Sequence, residues 1–200
     1  MARMSSAPAG SRRDQIVAAA AELFARRGFH GVGIDDIGAA VGISGPGVYR
    51  HFRSKDAVLG HMLVGISEKL LAGGQARTAA AGDPAEALRA LIRWQVDFAL
   101  DHPALITVHA RDLANLTETD QRRVRRLQRA YVEVWVVAIG RTVRPAGGAG
   151  TGPDQAGLRA AAHAVLGLIN STPHSAVLDR PSMAALLERM AYAALTVPGW

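Results

Sequence analysis

The sequence predicts an all-α fold of about nine helices, a three-helix head at the N-terminal end followed by a larger helical body. Three observations carry this expectation. Apolar residues recur at three- and four-residue spacing through most of the chain, as one face of a helix requires. Ser, Thr or Asp, followed by a carboxylate or a proline, stands before most of these runs as a helix start. No stretch alternates apolar and polar residues as a half-buried strand does, and there is no internal repeat. At 200 residues and 49% hydrophobic composition the chain has ample material for a core.

Taken in order, Ser11-Arg12-Arg13-Asp14 has the form of a capping box, and Ile16, Val17, Ala20, Leu23 and Phe24 follow until Arg26-Arg27-Gly28 ends the first helix. In the segment Ile34 to His51, the residues Ile37, Val41, Ile43 and Val48 fall where two short helices pack together. Gly38 sits where their backbones approach, and Gly42 where the connecting turn needs positive φ. A fourth helix starts at Ser54, a cap for the backbone N–H groups, with Asp56 at the positive end of its dipole. It is expected to end near Leu71, where Gly73-Gly74 follows. Asp83-Pro84-Ala85-Glu86 launches a helix carrying Leu88, Leu91, Ile92, Gln95 and Phe98, which His102-Pro103 stops. A short helix from Leu105 to Leu113 and a long one from Thr117 to about Val143 come next. Pro145 to Pro153, rich in Gly and Ala without an apolar period, is expected to be a mobile loop. Two last helices cover about Asp154 to Asn170 and Ser182 to Val197.

Composition excludes several classes. The chain has no cysteine, so disulfide frameworks, zinc ribbons and thiol nucleophiles are ruled out, which suits the cytoplasm. No apolar run approaches the roughly 20 residues of a membrane span, and MARMSSAPAGSRR lacks the apolar stretch of a signal peptide. The seven histidines form no pair with helical ligand spacing and a carboxylate helper, so no metal is expected. The chain carries neither GxSxG nor Walker nor dinucleotide fingerprints, and nothing assembles a nucleophile with a base; neither an enzyme nor a cofactor is expected. The net charge of +6 points mildly to a polyanionic partner.

Ile34 to His51 has the spacing of a helix-turn-helix, whose second helix enters a DNA major groove. The leading turn, Ser44, Gly45, Pro46 and Gly47, is made of small residues. Close backbone approach, contact of Pro46 with a thymine methyl, and DNA shape therefore have to carry much of the specificity. Tyr49-Arg50-His51-Phe52-Arg53-Ser54-Lys55-Asp56 continues the motif, and with Gly28-Phe29-His30-Gly31 before it the segment resembles the TetR family of transcriptional regulators over roughly residues 12–62. The resemblance implies backbone-phosphate contacts for Tyr49 and Lys55, and Arg50 and His51 are expected at bases or phosphates. One departure stands at Val32 and Gly33, where the family carries hydroxyls that cap the second helix and touch phosphate; Gly33 caps through its backbone alone. Residues 1–10 read as a disordered basic arm, with Arg3, Arg12 and Arg13 either reaching DNA or solvated.

Residues 11–53 are then the DNA-binding domain and residues 54–200 a ligand-binding and dimerising one. The partners implied are a palindromic double-stranded operator, a small-molecule effector and a second copy of the chain, with no membrane. Ala161, Ala162, Val165, Leu166 and Ile169, with Met183, Leu186, Leu187, Met190 and Ala194, mix small and apolar residues that permit close helix packing; the resemblance implies a four-helix interface between two copies there, and an intrachain core fits as well. The resemblance implies a cavity among these helices, and a largely apolar effector, such as a fatty acid, an acyl thioester or an aromatic metabolite, is expected there against Trp94, Phe98, His109, Leu113, Tyr131, Trp135 and Val165. Those aromatics fit a plain core as well. Arg111, Arg122 and Arg126 would serve a thioester only by turning inward, whereas an amphipathic stripe through Val124, Leu127, Tyr131 and Val134 puts the run Arg122 to Arg129 on a solvated face. The competing reading is an α-helical small-molecule or lipid-binding protein, or an enzyme, without DNA activity.

Overall fold

The computed structural model describes residues 10–143 and 153–197, and every regular element within them is helical. The first helices are α1 (Arg12–Arg27), α2 (Ile34–Ala40), α3 (Gly45–Tyr49), α4 (Lys55–Ala80) and α5 (Pro84–Asp101). They are followed by α6 (Pro103–Arg111), α7 (Glu118–Val143), α8 (Gln155–Ile169), α9 (Thr172–Ser175) and α10 (Arg180–Thr196). A single 3-10 turn, Leu113–Asn115, joins α6 to α7. The nine expected helices are present, and the single-turn α9 is the addition. The expected arm and the expected loop from Pro145 fall, except for Gly10 and Pro153, outside the described residues.

The starts follow the local chemistry. Ser11, Ser44, Ser54, Asp83, Asp154 and Asp179 each cap a helix by accepting a backbone N–H on the side chain. In the head, Ile16, Phe24, Ile37 and Val48 are fully buried, and α1 closes over α2 and α4. The body core is built where α4, α5 and α7 meet, around Leu63, Leu91, Ile92, Trp135 and Ile139. Each such aliphatic side chain contributes roughly 1.5–3 kcal/mol through burial. α8 packs on α7 and α10, and α10 on α5.

The end expected for α4 near Leu71 is overturned: the helix continues nine residues further, to Ala80. Gly73 and Gly74 are packing positions here. A Cβ on Gly73 would stand 2.3 Å from Cζ2 of Trp94, and one on Gly74 would stand 2.8 Å from Cε2 of Tyr131. Their lack of side chains lets the rings of α5 and α7 lie against the α4 backbone. That gain in packing outweighs a helix-propensity cost of ~1 kcal/mol per glycine.

Candidate functional site

The head is organised around the turn between α2 and α3. Gly42 takes φ 71°, the left-handed conformation the turn requires. A Cβ on Gly38 would meet the Ile43 carbonyl oxygen at 2.7 Å, so the close approach of the two helices depends on that glycine. Ser44 caps α3, its Oγ accepting the Gly47 N–H at 3.3 Å. On and beside α3, Ser44, Pro46, Tyr49 and Arg50 are exposed, while Gly47 and His51 are half-buried. Gly45 is buried beneath the Asp35 carboxylate, whose Oδ1 would lie 2.0 Å from an added Cβ. The side chains presented outward are thus one hydroxyl, one proline ring, one phenol and one guanidinium.

Gly33 caps α2 without a side chain, and its N–H donates to Asp36 Oδ2 at 2.8 Å. This backbone bond, with the Arg27 guanidinium 3.2 Å away, holds the Asp36 carboxyl below the usual carboxylate range. Val32 is buried. Lys55, expected at a phosphate, directs its Nζ to the carbonyl oxygens of Phe29 and Val32, at 2.8 Å each, and lies 4.3 Å from the Phe29 ring centroid. Two of the three ammonium donors therefore fasten α4 to the segment preceding α2, and one remains for an outside acceptor. Arg12 Nη1 donates to the Val41 carbonyl at 3.0 Å and Arg13 Nη1 to that of His51 at 2.9 Å. Both guanidiniums thus satisfy carbonyls at the C-terminal ends of α2 and α3.

A cavity of about 370 Å3 lies in the body between α4, α5, α6, α7 and α8. Among the expected residues, Phe98, His109 and Tyr131 line it. The other four lie elsewhere. Trp94 lies outside, its Nε1 donating to the Leu70 carbonyl at 3.2 Å and the Arg77 guanidinium 3.9 Å from its ring. Leu113 belongs to the 3-10 turn, and Trp135 and Val165 are buried in the intrachain core. Helical spacing tells which face is apolar and leaves open which stretch of that face borders a void.

Of the polar lining, sequence reasoning found His109 and Tyr131 and missed Gln95, Gln128 and Asn170. Gln95 is 1% exposed; its Oε1 accepts from Tyr131 Oη at 2.9 Å and its Nε2 donates to Asn170 Oδ1 at 2.8 Å. The signal was present, since Gln95 interrupts the stripe Leu88, Leu91, Ile92, Phe98 with an amide that a dry core would not tolerate unpaired. Burial pushes the Tyr131 phenol well above its ordinary value, so it stays protonated. Burial likewise lowers the His109 imidazole, and its neutral ring pairs with Gln128 Nε2 at 3.0 Å. Arg122 and Arg126 are exposed, and the neighbouring Arg123 pairs with Glu68 of α4 at 2.6 Å.

Arg111, at the end of α6, turns toward the head. Its guanidinium donates to the Phe24 carbonyl and, at 3.3 Å, to that of Ala25 near the end of α1. The buried Asp112 carboxylate holds it at 3.0 Å. Asn115 donates to Asp112 at 3.4 Å and meets His30 at 3.0 Å.

The faces expected at an interface divide. Ala162, Val165, Ile169, Met183 and Leu187 point into the chain's own core. Ala160, His163, Ala164 and Gly167 of α8, and Ala185, Met190, Ala193 and Ala194 of α10, are exposed. Each helix carries a broad apolar band in sequence, and packing alone decides which strip of it turns inward.

Residues 16–62 match the family described as bacterial regulatory proteins, tetR family, and residues 81–174 match the tetracyclin repressor-like C-terminal domain. The HTH-type transcriptional activator FasR of Mycolicibacterium smegmatis is 34% identical over 91 residues, 46% of this chain and 42% of that protein. The HTH-type transcriptional repressor KstR2 of Mycobacterium tuberculosis is 28% identical over 99 residues, 50% of each. The chain thus spans half or less of the length of these curated relatives. A TetR-family regulator from Bordetella parapertussis shares the fold at TM-score 0.80 and 24% identity, over 96% of this chain and 97% of that one. So does AibR, solved with isovaleryl coenzyme A and operator DNA, at TM-score 0.73 and 19% identity, over 90% and 97%.

Proposed function

The chain belongs to the TetR family of bacterial transcriptional regulators, and on that premise we propose that it is a homodimeric, cytoplasmic repressor released from a palindromic operator by a small, largely apolar molecule. Residues 11–53 read the DNA, with residues 54–200 sensing and dimerising. Ser44, Pro46, Tyr49, Arg50 and His51 face the groove and its phosphates, and Gly33 and Gly47 let the backbone come close, while Gly45, buried under the Asp35 carboxylate, supports the turn from behind. Lys55 contributes its one uncommitted N–H.

A single observation carries the effector reading: α6 touches the cavity and the head at once. Leu105, Ile106 and His109 line the void, and Arg111, two residues on, is bonded to the end of α1. A molecule that displaces α6 thereby tilts α1 and, through α2, the α3 that packs on it. In a dimer the two α3 helices must match half-sites about 34–36 Å apart, so a small rotation of each head takes them out of register. The effector selects the mismatched conformer. The exposed small residues of α8 and α10 support the dimer, since they permit close approach of helices from a second copy.

Activation is the second reading, favoured by the 34% identity to a protein named as an activator. The test is fluorescence anisotropy with DNA from upstream of the gene, together with a promoter reporter. Binding with a two-fold symmetric footprint and higher reporter output on deletion support repression, and lower output supports activation. No binding to that DNA at any salt concentration would sink both.

A further inference from the structure

We infer that the cavity selects an uncharged, lipid-like molecule carrying one hydroxyl or carbonyl group, which the Tyr131–Gln95–Asn170 chain recognises, and that it excludes a carboxylate. This deepens the proposed function, resting on its assignment of the cavity as the effector site. The lining contains no Lys, Arg, Asp or Glu, and its two histidines are His109, which burial keeps neutral, and His163, exposed at the rim. An anion taken among the buried groups would lose its water without meeting a fixed counter-charge, at a cost of several kcal/mol. The nearby arginines are committed elsewhere: Arg111 to the end of α1 and Arg123 to Glu68, with Arg122 and Arg126 exposed on the outer face of α7. A purely apolar molecule would fill the same volume but leave the free ends of the Tyr131–Gln95–Asn170 chain unpaired, so it should bind more weakly than one carrying a hydroxyl or carbonyl.

The direction of that chain sets what it can bind. Tyr131 donates to Gln95 and Gln95 to Asn170, so the phenol oxygen keeps free lone pairs and Asn170 Nδ2 donates to no protein acceptor among the described residues. A ligand hydroxyl can donate to Tyr131 Oη, and a ligand carbonyl can accept from Asn170 Nδ2. Phe98, Leu105, Leu127 and Leu166 enclose the remaining volume and suit an aliphatic body. About 370 Å3 lies at the lower end of small-molecule pockets, ~300–1,000 Å3.

The test measures binding to the full-length, DNA-free protein at pH 8 by calorimetry, with 1-decanol, 2-decanone, decanoate and hexylbenzene as probes. Decanol and decanone should bind at least tenfold more tightly than decanoate. Tyr131→Phe should weaken decanol about five- to tenfold while leaving hexylbenzene unchanged, the size of one lost hydrogen bond. Asn170→Ala, at the half-exposed end of α8, should do the same to decanone and covers the case of a Tyr131 variant that fails to fold. Decanoate binding as tightly as decanol, loss of all probes equally in both variants, or no binding by any neutral probe would overturn the inference. Operator release is read separately by anisotropy. If decanol binds with the expected Tyr131 dependence and the operator stays occupied, the effector reading fails while the ligand class stands.

Discussion

Arg111 at the end of α6 donates from Nη1 to the carbonyl oxygen of Ala25 at 3.3 Å, so a residue on the rim of the body satisfies an orphan carbonyl at the end of a head helix. The guanidinium also reaches the Phe24 carbonyl, and the buried Asp112 carboxylate fixes its plane. The link is polar and rigid, and it sits two residues from His109 in the cavity wall.

Arg111→Met should keep the aliphatic packing and remove this link. Operator affinity is expected to stay within about threefold of the parent, while the ligand concentration needed for release rises. Loss of hydrogen bonds to a charged donor should lower stability by about 1–3 kcal/mol. Anisotropy titrations with and without ligand check the coupling, and an unchanged release curve would remove Arg111 from the pathway.

Lys55 and Tyr49 should separate by phenotype. Lys55→Met removes two charge-assisted bonds that tie α4 to Phe29 and Val32, so it should reduce both thermal stability and DNA affinity. Tyr49 is 55% exposed, and Tyr49→Phe should leave the melting temperature unchanged and weaken binding equally for all DNA sequences. Calorimetric melts alongside salt-dependent binding decide the matter. A Lys55→Met protein as stable as its parent would contradict the bracing role.

Gly73→Ala tests why α4 runs on past its glycines. Alanine is the better helix former by ~1 kcal/mol, yet its Cβ would stand 2.3 Å from the Trp94 ring. Net destabilisation of about 1–3 kcal/mol is expected, as for other overpacked cores. Urea unfolding of Gly73→Ala against Gly65→Ala, where a Cβ meets nothing within 4 Å, isolates the clash, and Gly65→Ala should be stabilising.

Acid should weaken the fold through three histidines. Burial lowers the imidazoles of His61, facing Arg13, Asp14 and Glu68, of His102, facing Lys69 and Asp101, and of His109, beside Gln128. The unfolded chain takes up these protons near pH ~6.5 and the folded chain only at lower pH. Between those values the unfolded state holds more protons, so this contribution is complete above about pH 6.5 and is lost as pH falls toward the folded values. Melting temperatures from pH 8 to pH 5 should decline more steeply than those of His102→Gln, and parallel curves would refute the assignment.

The sequence by itself determined the helices, their starts and the helix-turn-helix, because these depend on interactions within a few residues: Ser44 and Asp83 cap by reaching three positions along, and Gly42 turns by its own φ. Gly73 misled for the same reason, since its partner Trp94 lies on another helix. Tertiary structure alone decided that Lys55 folds back onto Phe29 and Val32, that Arg111 spans head and body, and that Leu187 faces inward while Ala193 faces out. It also decided which residues of an apolar stripe border a void: Tyr131 does and Trp135, four residues later on the same face of α7, does not. Periodicity records the direction a side chain takes from its own helix axis. What stands opposite depends on where the other helices come to rest, which is set by the summed packing of residues far apart in the chain.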